Sequence, residues 1–424
     1  MSTDTATYPD NLIELFPSST EIDPDGRIAI GGCDLGELAE RFGTPAYVID
    51  EQALREQARR FQQTLRERWP NSAVVFASKA YPCVPVISVL AQEGLGADVV
   101  GAGELLIALT AGVDPKQIVV HGNAKTEHDL RSAVEAGVGE IVIDSHDDID
   151  RLERIVSGEP QHVLIRVLPN VSPETHESMN TGAKGSKFGL PHHEAMRAIE
   201  RLRSSDKLIL DGLHAHIGSQ ILDTAPFALE VERLAELGEF DVYDLGGGLG
   251  VNYVGSEQAP SPEEWIDTLT DAAKRHLPAH ARLLIEPGRS IVARAGCTLY
   301  RVVTVKHGEP TFVAVDGGMG DNLDVALTGQ PYMAAVVGRR GSGQPVELVG
   351  RHCESGDKLI TAIPLVAPAR EDLVVMPVTG AYSYTMANNY NGALRPPVVF
   401  CADGAAREVV RRESYEDLLA RTLK

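Results

Sequence analysis

The sequence is poor in cysteine, has no long apolar run, and carries far fewer bases than acids. Five cysteines in 424 residues, at 33, 83, 297, 353 and 401, are odd in number and form no CxxC pair. That argues against a disulfide scaffold or a structural zinc site and fits a reducing compartment. No stretch approaches the roughly 20 apolar residues needed to cross a bilayer. The opening MSTDTATYPDNLIELF lacks the basic region and apolar core of a signal peptide. The expected location is the cytoplasm. Thirty-nine Lys and Arg against 60 Asp and Glu leave a formal charge of −21, a surface that repels nucleic acid and anionic membranes. Low-complexity linkers and internal repeats are absent too.

What is present is a rhythm. After a polar start, GRIAIGGCDL and TPAYVID read as short strands, and EQALREQARRFQQTLRERW as an amphipathic helix. Short β-type runs then recur at 73–78, 96–100, 117–122, 140–144, 162–169, 208–218, 242–248 and 282–288. Helical stretches such as GELLIALTAG, TEHDLRSAVEAG and HEAMRAIERLRSS lie between them. Alternation of this kind implies βα units and a parallel sheet. Eight runs, with TPAYVID left out, fit a (β/α)8 barrel, placed at 47–305. From about 306 the rhythm changes: the segments LYRVVTVKH, TFVAVDGG, YMAAVVG, QPVELVG, KLITAI, DLVVMPV and PPVVFCA are β-rich with little helix. They predict an antiparallel β domain over 306–424, joined by residues 1–46.

Barrel chemistry gathers at the C-terminal ends of the strands, often with a phosphate site after the seventh and eighth. The unusual residues fall there. Lys79 follows the first run in FASKA. His216 and Ser219 end the sixth in HAHIGSQ. Gly246, Gly247 and Gly248 end the seventh, and Glu286, Gly288 and Arg289 end the eighth in EPGRS. Singly each has a bland reading: a solvated charge, a structural histidine, a turn, a local salt bridge. Together they suit one cofactor. The glycines expose backbone N–H groups, at a predicted helix start, to a phosphate, and Arg289 adds a charged donor. Glu286 can hold a pyridine nitrogen protonated. His216 can lie across the ring face, and Lys79 is the amine that condenses with an aldehyde.

With these residues in place, the chain resembles the fold-type III pyridoxal-phosphate decarboxylases, of the alanine-racemase-like barrel class, and diaminopimelate decarboxylase most closely. The motifs are FASKA, GADVVGAGEL, HGNAKT, TGAKGSKFGL, HIGSQ, LGGGLG, EPGR, HCESGD and GAYSYTMANNYNG, spread over Thr44 to Pro397. The resemblance implies pyridoxal 5′-phosphate bound through Lys79, with His216 stacked on the ring and Glu286 at its nitrogen. Ser219, Gly246 to Gly248, Gly288, Arg289 and Tyr382 would surround the phosphate. It also implies a homodimer whose active sites lie at the subunit boundary. Cys353 would reach the neighbouring subunit's site as proton donor, and Glu354 would hold the substrate's distal amine. Arg289 and Tyr382 would touch substrate as well.

One family motif departs. Where these decarboxylases read RPALY after the VDxGM segment, this chain reads VDGGMGDNLDVALTG, with Asp324 at the Arg position and Thr328 at the Tyr position. Two unit charges about 4 Å apart interact by roughly 4 kcal/mol at an effective dielectric near 20, so reversing the sign disfavours a distal carboxylate. The expectation is a substrate with a distal amine and no free distal carboxylate. It would be lysine- or ornithine-like, or masked in an amide or tethered to a carrier protein. The alternative is meso-diaminopimelate, with Arg339 or Arg340 supplying the positive charge. Among other classes, a racemase would lack the HCESGD and GAYSYTMANNYN pair, and an inactive cofactor-binding relative should have lost Lys79 or Cys353. A dehydrogenase reading of GGGLG lacks the acidic residue expected after the following strand.

Overall fold

Eight short, largely apolar runs form the parallel strands of a closed barrel in the computed structural model, which describes residues 10–175, 179–182 and 185–423. Ala183 and Lys184 of the TGAKGSKFGL motif, and the first nine residues of the predicted 1–46 segment, lie outside the described residues. The barrel strands are β1 (Ser72–Ala77), β2 (Gly96–Val99), β3 (Ile118–Val120), β4 (Glu140–Ile143), β5 (Gln161–Arg166), β6 (Leu208–His214), β7 (Val242–Asp244) and β8 (Arg282–Ile285). Neighbours pair in chain order, and β8 closes on β1 through Leu283 to Ser72 and Ile285 to Val74. All eight predicted runs become barrel strands, most of them shortened. The two-sided burial of a barrel strand explains their near-continuous apolar character.

Inside the barrel, Val75, Val119, Val142, Leu164, Val242 and Leu284 meet in one cluster. Each buried aliphatic side chain of this kind contributes roughly 1.5–3 kcal/mol. The connecting helices start and stop on local signals. Thr126 and Asp129 form a capping box before Glu127–Ala136, which ends at Gly137 in the left-handed conformation. Ser261 and Glu264 do the same before Pro262–His276. Among the described residues no helix is long and apolar enough to cross a membrane.

The chain divides into two compact units. The barrel unit comprises Gln57–Val251 and Ala259–Ser290; the other holds the described residues up to Glu56, then Asn252–Gln258, then those from Ile291 on. This differs from the predicted limits of 47–305. Ala46–Asp50, left out of the eight barrel runs, and Gly296–Lys306, part of it read as β-domain sequence, fall largely within those limits, yet they pair antiparallel with each other in the β unit. Gly296–Lys306 also pairs with Leu373–Pro377. Their hydrogen-bonding edges are satisfied by that sheet, and chain proximity to the barrel strands does not override it. The sheet is mixed. Most pairings are antiparallel, but Ala46–Asp50 runs parallel to Val398–Ala402, and Phe312–Val315 parallel to Gln344–Val349.

Candidate active site at the barrel strand ends

Lys79 sits in a 3-10 turn, Ser78–Ala80, immediately after β1, with its side chain exposed. That turn lies against the residues that follow β8. A Cβ added to Gly288 would come within 2.9 Å of the Ala77 Cβ and 3.1 Å of the Ala80 Cβ, so a side chain there would collide with the lysine turn. Closure of the barrel between β8 and β1 thus brings Lys79 beside the EPGR segment.

His216 lies two residues beyond β6. The Gly247 N–H donates to His216 Nδ1 at 3.2 Å, which puts any ring proton of the neutral form on Nε2. Burial, then the Lys79 and Arg166 charges, push its pKa well below the usual histidine value, so the ring is neutral. A neutral imidazole can stack on a flat cationic ring without charge repulsion. Gly246 and Gly248 have φ of 58° and 115°, and a Cβ on Gly248 would lie 2.4 Å from the Gly218 carbonyl oxygen. Only glycine lets these loops pass so closely. No helix starts at the triplet, contrary to the predicted helix start; the next one is Pro262–His276. Gly246 N–H donates instead to Asp244 Oδ1 at 3.0 Å, so two of the three amides serve to hold the loop. Arg289 begins a single helical turn, is buried, and donates through Nη2 to Ser219 Oγ at 3.4 Å. Those two side chains form a polar pair with the character an anion needs.

Glu286 is the most constrained member. It is buried, with His121 Nε2 at 2.6 Å from Oε1 and His214 Nε2 at 3.4 Å from Oε2. The 2.6 Å approach is a charge contact rather than an aligned hydrogen bond, so Oε1 keeps acceptor capacity. Burial pushes the carboxyl up, but the two imidazoles outweigh it and hold Glu286 well below the usual carboxylate range. Its neighbours go the other way. Burial and the Glu286 charge hold Asp244 well above that range, and burial pushes Asp98 up to about 7. Ligand atoms of His121, His214, Asp244 and Glu286 lie within 4.8 Å of one another, a spacing that would admit a cation. With Asp244 protonated and Glu286 facing His121, the group is better described as a charge-balanced, proton-sharing cluster, and no metal is assigned.

These residues fit pyridoxal phosphate. An amine, a neutral imidazole, an ionised buried carboxylate with spare acceptor capacity, and the Arg289–Ser219 pair stand at the ends of β1, β6 and β8. Sequence reasoning singled out those residues but missed Asp98, His121, His214 and Asp244. The available signal was positional. His214 and Asp244 are the last residues of β6 and β7, His121 follows β3, and Asp98 lies within β2.

The remaining predicted residues belong to the other unit. Cys353 is exposed, unlike the four buried cysteines, and its N–H donates to Asn391 Oδ1 at 2.8 Å. Glu354 is exposed, with Tyr390 Oη at 3.5 Å. Tyr382 has φ of 67° and caps Ser383–Met386. Asp324, expected to present a negative charge to substrate, is 3% exposed; its Oδ1 accepts from Thr328 Oγ1 at 3.1 Å and its Oδ2 from Tyr332 Oη at 3.2 Å. Both oxygens are therefore engaged locally, and so is Thr328. Arg339 is paired with Asp372 at 2.7 Å, and Arg340 donates to the Asp23 carbonyl.

The chain is similar to known proteins over nearly its whole length. Residues 51–293 match the family model of the pyridoxal-dependent decarboxylase pyridoxal-binding domain. A diaminopimelate decarboxylase of Actinosynnema pretiosum is 45% identical over 421 residues, spanning 96% of this chain and 95% of its own. That of Bacillus subtilis is 41% identical, spanning 93% and 94%. The crystal structure of the M. jannaschii diaminopimelate decarboxylase with L-lysine superposes with a TM-score of 0.90 at 33% identity, covering 96% of this chain and 98% of that one.

Proposed function

The chain belongs to the pyridoxal-dependent decarboxylases, and on that premise we propose that it converts meso-diaminopimelate to L-lysine and CO2. The observation that carries this reading is the meeting of Lys79, His216 and ionised Glu286 at the barrel strand ends. The substrate assignment draws on relatives of 37% to 45% identity over nearly the whole chain, all named diaminopimelate decarboxylases.

When bound, pyridoxal 5′-phosphate supplies an aldehyde that condenses with amines and a ring that takes up the electrons released by a departing carboxylate. The protein's part is positional and electrostatic. Lys79 Nζ would be the amine that holds the cofactor's aldehyde carbon. Glu286 would face the ring nitrogen and, being ionised, would favour a proton there. His216, neutral and with Nδ1 engaged by Gly247, covers one ring face. Arg289 and Ser219 hold the phosphate, with Gly246 to Gly248, Gly288 and Tyr382 around it. Arg289 and Tyr382 also face the substrate. In a homodimer, Cys353 of the second copy delivers the proton that replaces CO2 at Cα, and Glu354 binds the distal ammonium.

Asp324 supports a second reading, in which the substrate has a distal amine and no free distal carboxylate. Its position holds an engaged acid where the family has an arginine. Mass spectrometry of cofactor-loaded protein incubated with meso-diaminopimelate separates the two. Prompt lysine supports the first reading. No lysine, with turnover of lysine or ornithine instead, overturns it in favour of the second.

A further inference from the structure

Against Glu286 stands a buried group the reaction as described does not use. His121 comes directly after β3, its backbone N–H donating to the Val99 carbonyl at 2.8 Å, and its side chain is 7% exposed. Nε2 lies 2.6 Å from Glu286 Oε1 and 3.7 Å from Asp98 Oδ1. The ring meets that of His214 edge-on, with centroids 4.7 Å apart at 67°.

We propose that His121 is a positioning residue for the decarboxylation: a buried cation behind the Glu286 carboxylate that drives the proton shared between Glu286 and the cofactor's ring nitrogen onto the nitrogen. The inference rests on the reading that Glu286 faces that nitrogen. A positive charge on the far side of a carboxylate stabilises its ionised form and repels a proton arriving there, so the proton stays on the partner beyond. Among the described residues, the carboxyl groups buried at this end of the barrel include Asp98, Asp144, Glu230, Asp244 and Glu286. Left to burial alone, each would hold its own proton. Glu286 has one imidazole nitrogen at 2.6 Å, from His121, and another at 3.4 Å, from His214.

The two imidazoles differ in charge. Burial lowers the pKa of His121, but Glu286 and Asp98 more than restore it and leave it raised. His214 is pushed down to about 3, burial again dominating, and is neutral. The other titratable groups that act on His121 are Glu104, Glu140 and Arg166. Glu104 and Glu140, when ionised, favour protonated His121, but both are themselves raised, Glu140 to about 7, which limits that support; the Arg166 charge acts against it. Glu286, with Asp98 adding to it, keeps His121 protonated, and His121 in turn keeps Glu286 ionised.

The test is nitrogen-15 NMR of the holoenzyme reconstituted with cofactor labelled at the ring nitrogen. In the wild-type protein the signal should be that of a protonated pyridine nitrogen. His121→Gln, which keeps a polar donor but no charge, should move it toward the unprotonated value, with the ring-nitrogen pKa lowered by about one unit or more, a tenfold change in occupancy. The same variant should lower kcat by about tenfold with KM changed by less than about threefold, since the charge acts on the chemical step. Asp98→Asn should shift the signal in the same direction by a smaller amount, and it serves if His121→Gln fails to fold. A protonated signal retained in both variants overturns the inference, provided Glu286→Gln abolishes it. A protonated signal retained in Glu286→Gln overturns the underlying placement of Glu286 instead.

Discussion

Replacing Lys125 by methionine should destabilise the barrel unit by about 3 kcal/mol, and the structure says where that loss arises. The Lys125 side chain is fully buried, with Nζ 2.8 Å from Asp148 Oδ2. It also donates to the Gly122 carbonyl at 2.6 Å and the Val142 carbonyl at 2.8 Å. It thereby ties the loop after β3, which begins with His121, to β4 and to the helix His146–Ile155. Removing one partner of a buried ion pair costs about 3–5 kcal/mol, because the remaining charge is left in a medium that solvates it poorly. Arg151 Nη2 at 2.9 Å and the Asp144 N–H at 3.0 Å still serve Asp148, which argues for the lower end. The double variant Lys125→Met, Asp148→Leu removes the stranded charge and should recover at least about 1 kcal/mol relative to the single variant. Urea unfolding followed by circular dichroism gives both values, with the slope compared between variants to verify that the same transition is observed. A single-variant loss below about 1 kcal/mol, or a double variant no better than the single, would refute the claim that this pair holds the loop.

Glu230 on the helix Ala225–Ala235 is fully buried with neither carboxylate oxygen hydrogen-bonded, and burial holds its pKa well above the usual value. A carboxyl raised in the folded state contributes stability that is complete below its unfolded pKa, near 4.3, and is lost as pH rises toward the folded one, at up to about 1.4 kcal/mol per pH unit. Glu230→Gln should therefore gain on wild type by roughly 2 kcal/mol between pH 5 and 7 in thermal or urea unfolding; a constant difference across that range contradicts it. Gly248→Ala and Gly238→Ala both place a side chain at positive φ, 115° and 112°, but only the first meets backbone, at 2.4 Å. Gly248→Ala should cost at least about 2 kcal/mol more than Gly238→Ala and weaken cofactor binding; equal losses would mean that crowding there is relieved. Native protein should take up one equivalent of iodoacetamide, at the exposed Cys353. Peptide mapping that finds Cys33, Cys83, Cys297 or Cys401 labelled first would count against that exposure.

The amino-acid sequence by itself determined the barrel and singled out the residues proposed to hold its cofactor. Strand and helix periodicity is a local property, so eight runs separated by amphipathic stretches were readable without knowing what they touch. Lys79, His216, Gly246 to Gly248 and Glu286 were readable for the same reason, because each lies within a few residues of a strand end. Three things were decided only in three dimensions. The limits of the barrel unit were one of them: Ala46–Asp50 and Gly296–Lys306 lie largely inside the 47–305 span, but hydrogen-bond partners about 250 residues apart assign them to the other sheet. Asp324 looks in sequence like a charge offered to substrate, yet hydroxyls of Thr328 and Tyr332 fold onto it and bury it. The cluster around Glu286 draws Asp98, His121, His214 and Asp244 from β2, β3, β6 and β7. Their places at or near strand ends hint at a shared site, but not at which of them touch, because a charge feels distance through space and barrel closure sets that distance.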